Sequence, residues 1–231
     1  RFAVGDHVFG STMVGAFAEQ IVLPVNAVQP VPADVPFDVA AAFGVAHRTA
    51  YHSLRSVARL QPGEELVVLG AAGGVGLAAV QLGHLLGATV TAVASSAEKL
   101  DAARTCGADR TINYREVDLR AALKEQLPGG GDVVIDPVGG ALSEPALRGL
   151  RRGGRFVTVG YASGEIPRIP LNLVLLKGIT IVGFEYLGFA MSQPQEMAQG
   201  DRELNELLRT GQATPYIGAR FALADAADAL R

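Results

Sequence analysis

The chain has 231 residues, of which 49% are hydrophobic and 19% charged, and its net charge is −3. This length and composition allow one large domain together with parts of a second, and they exclude a disordered chain. Because no basic run stands out, nucleic acid and anionic membranes are poor candidates as partners.

The single cysteine, Cys106, excludes an internal disulfide framework and a multi-cysteine metal site. We interpret it as a small, buried side chain at a helix end. No apolar run approaches the ~20 residues of a membrane span, and the protein is expected to be cytoplasmic. The sequence starts at Arg1 without Met or a signal peptide, so it is expected to begin inside a longer protein.

The first elements in chain order are short β segments, predicted at 7–9 and 17–23 and followed by a proline-spotted stretch over 24–36. From about residue 63, Val- and Ile-rich runs alternate with longer helical patterns. These runs lack polar alternation, which is typical of strands that are buried on both faces of a parallel sheet. Six such strands joined by helical crossovers predict a doubly wound, parallel α/β sheet.

Beyond residue 184 the pattern changes to a helix at 202–209, an extended piece and the start of another helix over 223–231. The two flanks, residues 1–40 and 185–231, therefore indicate parts of a second unit around the sheet. The predicted strands of the sheet are 66–69, 89–94, 110–112, 133–135, 156–159 and 179–182, and the predicted helices are 76–87, 98–104, 119–126 and 142–150.

The strongest motif is the glycine-rich segment 70–76, GAAGGVG, between the first of these strands and a helix. Glycines at such a junction permit a tight turn and let backbone amides approach a pyrophosphate, while the helix N-terminus supplies a favourable dipole. Ala71 occupies the first position of the usual G-x-G-x-x-G, so the segment is a variant of the dinucleotide-binding fingerprint.

The tip of the second strand carries Ser95 and Ser96, where an NAD-type fingerprint places a carboxylate ~20 residues after the glycines. Hydroxyls with Lys99 nearby suit the 2′-phosphate of NADPH, which a carboxylate would repel. Alternatively, Ser95 and Glu98 form a capping box and Lys99 is only solvated, and the two interpretations are compatible. The missing acid also argues against a methyltransferase.

Two other classes of α/β enzyme are excluded by their motifs. None of the five tyrosines has a lysine four residues later, as a short-chain dehydrogenase requires. The sequence also lacks the G-x-S-x-G elbow of an α/β-hydrolase.

Five segments resemble a known group in their order and spacing: residues 2–10 (FAVGDHVFG), 15–19 (GAFAE), 49–51 (TAY), 70–76 and 136–140 (DPVGG). The group is the medium-chain dehydrogenase/reductase superfamily, and the most similar branch is the zinc-independent NADPH:quinone oxidoreductases, the zeta-crystallin-like group. The resemblance runs over essentially the whole chain.

The resemblance implies a GroES-like, β-rich catalytic domain built from both ends of the chain around a Rossmann domain. Residues 1–40 and 185–231 would belong to the former, and residues 41–184 to the latter. It also implies that ~80 residues precede Arg1 and about 20 follow Arg231.

The same resemblance implies an enzyme that needs no zinc. The segment 5–19 contains no cysteine, whereas zinc-dependent relatives carry a four-cysteine lobe there. The position of a catalytic zinc ligand, four residues before Thr49, is Val45, which cannot bind a metal. His47 and His52 lie on a predicted helix and are not interpreted as ligands.

By resemblance, the protein is an NADPH-dependent reductase that passes a hydride to a quinone or an α,β-unsaturated carbonyl. No catalytic residue or general acid can be assigned from the sequence. The residues implied to bind the cofactor are Gly73, Gly74, Val75 and Gly76 at the pyrophosphate, Ser95, Ser96, Lys99 and Tyr114 around the 2′-phosphate, Val138, Gly139, Gly160 and Tyr161 at the ribose and nicotinamide, and Thr49 at the nicotinamide.

Alternatives remain open at several of these points. Tyr114 would otherwise be a half-buried ring closing the third strand, and Thr49 would otherwise bond to the backbone one turn earlier in its helix. A zinc-free enoyl-thioester reductase shares every motif, and a non-enzymatic, crystallin-like NADPH-binding protein is a further alternative. The resemblance also implies a homodimer, formed by pairing of the apolar edge strand at 179–183 across a two-fold axis.

Overall fold

A six-stranded sheet forms the centre of the computed structural model, which describes residues 2–230. In chain order the strands are β1 (Val8–Gly10), β2 (Val28–Pro30), β3 (Glu65–Leu69), β4 (Thr89–Ala94), β5 (Arg110–Asn113), β6 (Gly131–Asp136), β7 (Leu150–Thr158) and β8 (Thr180–Gly183). The strand order of the large sheet is β5-β4-β3-β6-β7-β8 and every neighbouring pair is parallel, so the predicted fold class is confirmed. A small antiparallel sheet, β1-β2, precedes it in the chain.

Helices cover both faces of the sheet. A π-helical segment, Ser53–Val57, continues the first of them, and single 3₁₀ turns lie at Val25–Ala27, Gly140–Leu142 and Leu223–Asp225. Among the described residues, no helix combines the length and the apolar composition needed to cross a membrane. The α-helices are α1 (Phe37–His52), α2 (Gly74–Leu85), α3 (Ala97–Thr105), α4 (Leu119–Gln126), α5 (Ser143–Gly149), α6 (Leu171–Lys177), α7 (Tyr186–Ser192), α8 (Pro194–Arg209) and α9 (Ala226–Ala229).

The core explains why the strands show no polar alternation. Along β3, Leu66 and Val68 pack into the core on one face, with α1, α2 and α8. Val67 and Leu69 pack into the core on the other face, with α4 and α5. Both faces are therefore buried, and burial of each such side chain contributes roughly 1.5–3 kcal/mol.

The flanks differ from their predictions at one strand and at the start of one helix. Residues 17–23 form no strand: Phe17 and Val22 are 66% and 98% exposed, and a β segment without a partner strand has little to stabilise it. The helix predicted at 202–209 begins earlier, at Pro194, because proline suits the first turn of a helix. Gly200 lies inside this helix because a Cβ there would come within 2.5 Å of the His52 ring.

At the C-terminal end, the helix predicted over 223–231 is a 3₁₀ turn followed by the short α9. Its predicted last residue, Arg231, and the first residue of the chain, Arg1, lie outside the described residues.

Candidate functional site

The glycine-rich segment makes a tight turn directly after β3. Gly70 adopts a left-handed conformation with φ of +59°, and a Cβ there would lie 2.5 Å from Cγ2 of Val138. The turn is closed by the Gly73 N–H, which donates to the Gly70 carbonyl at 3.0 Å. The fingerprint places the glycine of the tight turn at the position of Ala71. In the structure the residue that makes the turn is Gly70, one position earlier.

Helix α2 starts from this turn with its first amides free. Its N-cap is Gly73, and no side chain caps the helix, so the N–H groups of Gly74, Val75 and Gly76 point out of the helix end without an intrahelical partner. A Cβ at position 76 would lie 2.1 Å from the Gly70 carbonyl oxygen, whereas one at position 73 would meet nothing nearer than 3.5 Å. Gly76 is thus required for internal packing, and Gly73 leaves room on its outer side for an anion.

A cleft of about 660 Å³ opens beside these amides, at the carboxyl ends of β3, β6 and β7. Between β3 and β6 the strand order reverses, and such a switch point is where open α/β sheets bind ligands. The cleft is lined mostly by apolar and backbone groups, namely Thr49, Gly70, Gly73, Gly74, Val75, Gly76, Pro137, Val138, Val159, Gly160, Tyr161, Ala162, Phe184, Glu185 and Tyr186.

Most of the predicted site residues line the cleft, and a smaller group lies outside it. Eight of them line the cleft: Thr49, Gly73, Gly74, Val75, Gly76, Val138, Gly160 and Tyr161. Gly139 is buried directly behind Val138. The remaining four, Ser95, Ser96, Lys99 and Tyr114, lie outside the lining, at the ends of the neighbouring strands β4 and β5.

The tip of β4 is nevertheless adjacent to the glycine turn, because the Ala71 N–H donates to the Val93 carbonyl at 3.1 Å. Ser96 is the N-cap of α3, and its hydroxyl accepts the Lys99 N–H at 3.4 Å. The prediction that Ser95 is the capping residue is therefore wrong. Ser95 instead accepts a hydrogen bond from the Lys99 ammonium at 3.1 Å, which places two hydroxyls and one cation together.

Thr49 lies on α1 and is 7% exposed. Among the described residues its hydroxyl has no hydrogen-bond partner, so the alternative of a bond to the preceding turn is wrong. It is Ser53 that makes such a bond, to the Thr49 carbonyl at 2.7 Å. The Thr49 hydroxyl at the cleft wall is consequently available to a ligand. Tyr114, by contrast, is half-buried and packs against the core beneath β5.

A buried carboxylate that sequence reasoning missed shapes the loop after β6. Asp136 is fully buried, and its Oδ1 accepts the N–H groups of Val138 and Gly139, both at 2.8 Å. Its Oδ2 accepts the Ser143 hydroxyl at 2.5 Å. Gly139 has a φ of +72°, and a Cβ there would lie 2.8 Å from the Tyr161 ring. An acid directly after the apolar run 133–135 and followed by Pro-Val-Gly-Gly was the signal for this role.

The two histidines of α1, His47 and His52, pack inside the protein. Both are buried, and burial lowers the pKa of each imidazole and favours its neutral form. His47 contacts the Phe43 carbonyl and Gln81 Oε1, both at 3.2 Å, and His52 contacts Ser56 at 3.0 Å. Cys106 is half-buried at the end of α3, and burial raises the pKa of its thiol.

The sequence profile of the family described as zinc-binding dehydrogenase matches residues 74–205. A quinone oxidoreductase-like protein 2 homolog from Nematostella vectensis is 37% identical over 223 residues, which make up 95% of this chain and 61% of that protein. The chain thus spans less than two thirds of the length of this relative.

Two solved structures show the same fold. The Escherichia coli quinone oxidoreductase complexed with NADPH gives a TM-score of 0.83 at 30% identity, covering 97% of this chain and 68% of that one. The quinone oxidoreductase from Thermus thermophilus, determined also in complex with NADPH, gives a TM-score of 0.83 at 32% identity. The match covers 95% of this chain and 70% of that one.

The family description names zinc, and the residues described do not fit it. Across residues 2–230, no group of three His, Cys, Asp or Glu side chains lies close enough to hold a metal ion.

Proposed function

This chain belongs to the medium-chain dehydrogenase/reductase superfamily, in its quinone oxidoreductase branch, and we propose that it binds NADPH and reduces quinones or α,β-unsaturated carbonyls. The observation that carries this proposal is the uncapped N-terminus of α2, which opens into the cleft at the switch point of the sheet. The nicotinamide of bound NADPH would supply the hydride.

The chain's own residues would hold the cofactor in three places. The amides of Gly74, Val75 and Gly76 suit the pyrophosphate, because three donors and a helix dipole converge there. Ser95, Ser96 and Lys99 suit the 2′-phosphate, with Tyr114 alongside, because they offer hydroxyls and a positive charge and no acid stands at the strand tip. Thr49, Val138, Gly139, Gly160 and Tyr161 would border the ribose and the nicotinamide.

The remainder of the cleft would orient the reactants and exclude water. Asp136 fixes the backbone of Val138 and Gly139, so that this wall of the cleft is rigid. Phe184 and Tyr186 form an apolar surface at the far side. Quinones accept hydride without a Lewis acid because they are electron-poor, and we therefore propose a zinc-free reaction.

The test is oxidation of NADPH by the protein with a panel of quinones, small enones and enoyl thioesters. Turnover with quinones or small enones is expected. A preference for enoyl thioesters would replace the proposed substrate class by the enoyl reductases, and tight NADPH binding without turnover would favour a non-enzymatic protein.

We also propose that the protein forms a homodimer through β8. This strand is one of the two edges of the sheet, and Ile181 on it is 38% exposed. Next to it, Leu171 and Leu175 of α6 are 75% and 81% exposed. Unpaired strand edges and apolar side chains of this kind favour an isologous contact. A monomer mass in light scattering at micromolar concentration would contradict this proposal.

A further inference from the structure

A second cleft, of about 520 Å³, lies at the opposite end of the sheet, where β6 and β7 begin. It lies between α4, the turn at Pro128 to Gly130, and the C-terminal ends of α5 and α6. We call it the basic cleft. Among the described residues, every charged side chain that lines it is a cation: Arg120, Lys124, Arg148, Arg151, Arg152 and Lys177. Six of the chain's 20 lysines and arginines thus face one cleft in a protein whose net charge is −3.

Only three of the six cations can be explained by their position at the C-terminal end of a helix. Three helices finish at this end of the sheet, and each has one cation in its last turn, Lys124, Arg148 or Lys177. A cation there is favourable because it faces the negative end of the helix dipole. Arg120 is in the first turn of α4, where the dipole disfavours a cation, and Arg151 and Arg152 belong to a strand.

Four of the six cations are held in place by the protein. The Lys177 ammonium donates to the carbonyls of Arg148 and Leu150, the latter at 2.5 Å. Arg148 pairs with Glu144 at 2.6 Å, and Arg151 pairs with Asp132. Arg152 donates to the Leu176 carbonyl at 3.1 Å. These contacts fix the walls of the cleft before any ligand arrives, which lowers the cost of ordering on binding.

The other two cations are free. Arg120 and Lys124 are exposed, they are four residues apart on one helix face, and neither has a hydrogen bond or ion pair with any residue in the part of the chain described. The cations also repel one another: burial lowers the pKa of the Lys177 ammonium, and the charges of Arg120 and Arg148 lower it further. An anion between them would relieve this repulsion.

We propose that the basic cleft binds a small organic molecule that carries a diphosphate group. Two free cations one helical turn apart match two adjacent phosphates, and the guanidinium of Arg120 can make paired hydrogen bonds to phosphate oxygens. The volume is within the range of small-molecule sites. Leu127, Pro128 and Leu176 add apolar surface for the organic part of the ligand. The cleft is bounded by α4, the turn at Pro128 to Gly130 and the ends of α5 and α6, and these limits fit a small molecule better than a membrane or a nucleic acid, which would need an extended patch.

The test is calorimetric titration with pyrophosphate in the presence of saturating NADPH, so that the glycine turn is not the site observed. Pyrophosphate is expected to bind more tightly than inorganic phosphate. The double variant R120A/K124A is expected to lose at least tenfold in pyrophosphate affinity. The matched variant R168A/R202A removes two exposed cations elsewhere and is expected to bind like the wild type.

NADPH affinity, melting temperature and mass in solution check that both double variants are folded and assembled as the wild type is. Absence of pyrophosphate binding at millimolar concentration, or an equal loss in the two double variants, would overturn the proposal. So would binding of phosphatidylglycerol vesicles or of RNA that depends on Arg120 and Lys124 while pyrophosphate does not bind. If NADPH itself fails to bind, the proposed function fails, and the comparison of the two double variants still decides the basic cleft.

Discussion

Strand β6 carries a buried aspartate near each end; both accept backbone N–H groups, but their side-chain partners differ. Asp136, at the carboxyl end, accepts two backbone N–H groups and the Ser143 hydroxyl. Asp132, at the amino end, is 3% exposed, accepts the Glu65 N–H at 2.9 Å and pairs with Arg151. One carboxylate therefore shapes a loop, whereas the other holds a cation.

The difference follows from the polarity of a parallel α/β sheet. Helices begin at the carboxyl ends of the strands, so free amides gather there and an anion can be held by backbone alone. Helices end at the amino ends, where carbonyls gather, so positive charge has to come from side chains. Sites at the two ends should therefore respond differently to substitution: glycines and loop anchors matter at one end, and lysines and arginines at the other.

The largest effect is expected at Asp136. Asp136→Ala would leave the buried Gly139 N–H, the partly buried Val138 N–H and a buried hydroxyl without their acceptor, and loss of the partner of a buried polar group costs about 1–3 kcal/mol. We expect the free energy of unfolding in urea to fall by about 3 kcal/mol or more. Asp136→Asn is the control, because its amide oxygen can still accept the two N–H groups and its NH₂ can donate to Ser143. Equal stability of the alanine variant and the wild type would contradict the anchoring role.

The second prediction separates ligand contact from packing within the glycine turn. Gly73→Val adds bulk on the open side of the turn, so we expect NADPH affinity to fall by about 100-fold, or 2.7 kcal/mol, with little change in stability. Gly76→Ala places a Cβ 2.1 Å from the Gly70 carbonyl oxygen and should destabilise the fold by about 1–3 kcal/mol. NADPH titration and urea unfolding of both variants measure the two effects. If folded Gly73→Val bound NADPH as the wild type does, the pyrophosphate site would be misplaced.

The third prediction concerns the one cation at the carboxyl end that is proposed to contact the cofactor. A hydrogen bond to a charged group contributes roughly 1.5–3 kcal/mol, so Lys99→Ala should weaken NADPH binding by roughly 10- to 100-fold. NADH, which lacks the 2′-phosphate, should be affected little. Ser96→Asp should weaken NADPH binding further by charge repulsion while still capping α3, since aspartate is a good N-cap. Dissociation constants of both cofactors measure this, and equal losses for NADH and NADPH would leave Lys99 as a solvated helix residue.

The fold of the central sheet was predictable because its strands are buried on both faces. In β4, for example, five of the six residues are buried. An apolar run of this kind is stable only as a strand covered on both faces, which in a chain of this size means the centre of a parallel sheet. The flanks were predicted less well. Apolar residues at 17–23 have the composition of a strand, but a strand also needs a partner, and sequence periodicity contains no information on partners.

The site was predictable where it depends on glycines in a fixed context and not where it depends on distant contacts. Residues 73–76 could be assigned from their position between a strand and a helix. Gly70 was included in the glycine-rich segment but not singled out as the turn residue, because its need for glycine comes from both its φ and Val138, far along the chain. Asp136 was missed for a different reason: the N–H groups that it accepts belong to residues two and three positions later, but only the folded backbone turns them toward the carboxylate.

The smallest effect is expected at the amino end of β6, where the partner of Asp132 is the solvent-exposed cation Arg151. Arg151→Ala removes the partner of Asp132, but the Arg151 side chain is 52% exposed and Asp132 keeps the Glu65 N–H. Water can replace the guanidinium, so we expect a loss of about 1 kcal/mol in urea unfolding, well below that of Asp136→Ala. Arg152→Ala is the matched control, since this exposed neighbour contacts only a carbonyl, and we expect a change within about 0.5 kcal/mol. If Arg151→Ala were as destabilising as Asp136→Ala, the amino end would depend on its charges as strongly as the carboxyl end depends on its amides, and the contrast between the two ends would be wrong.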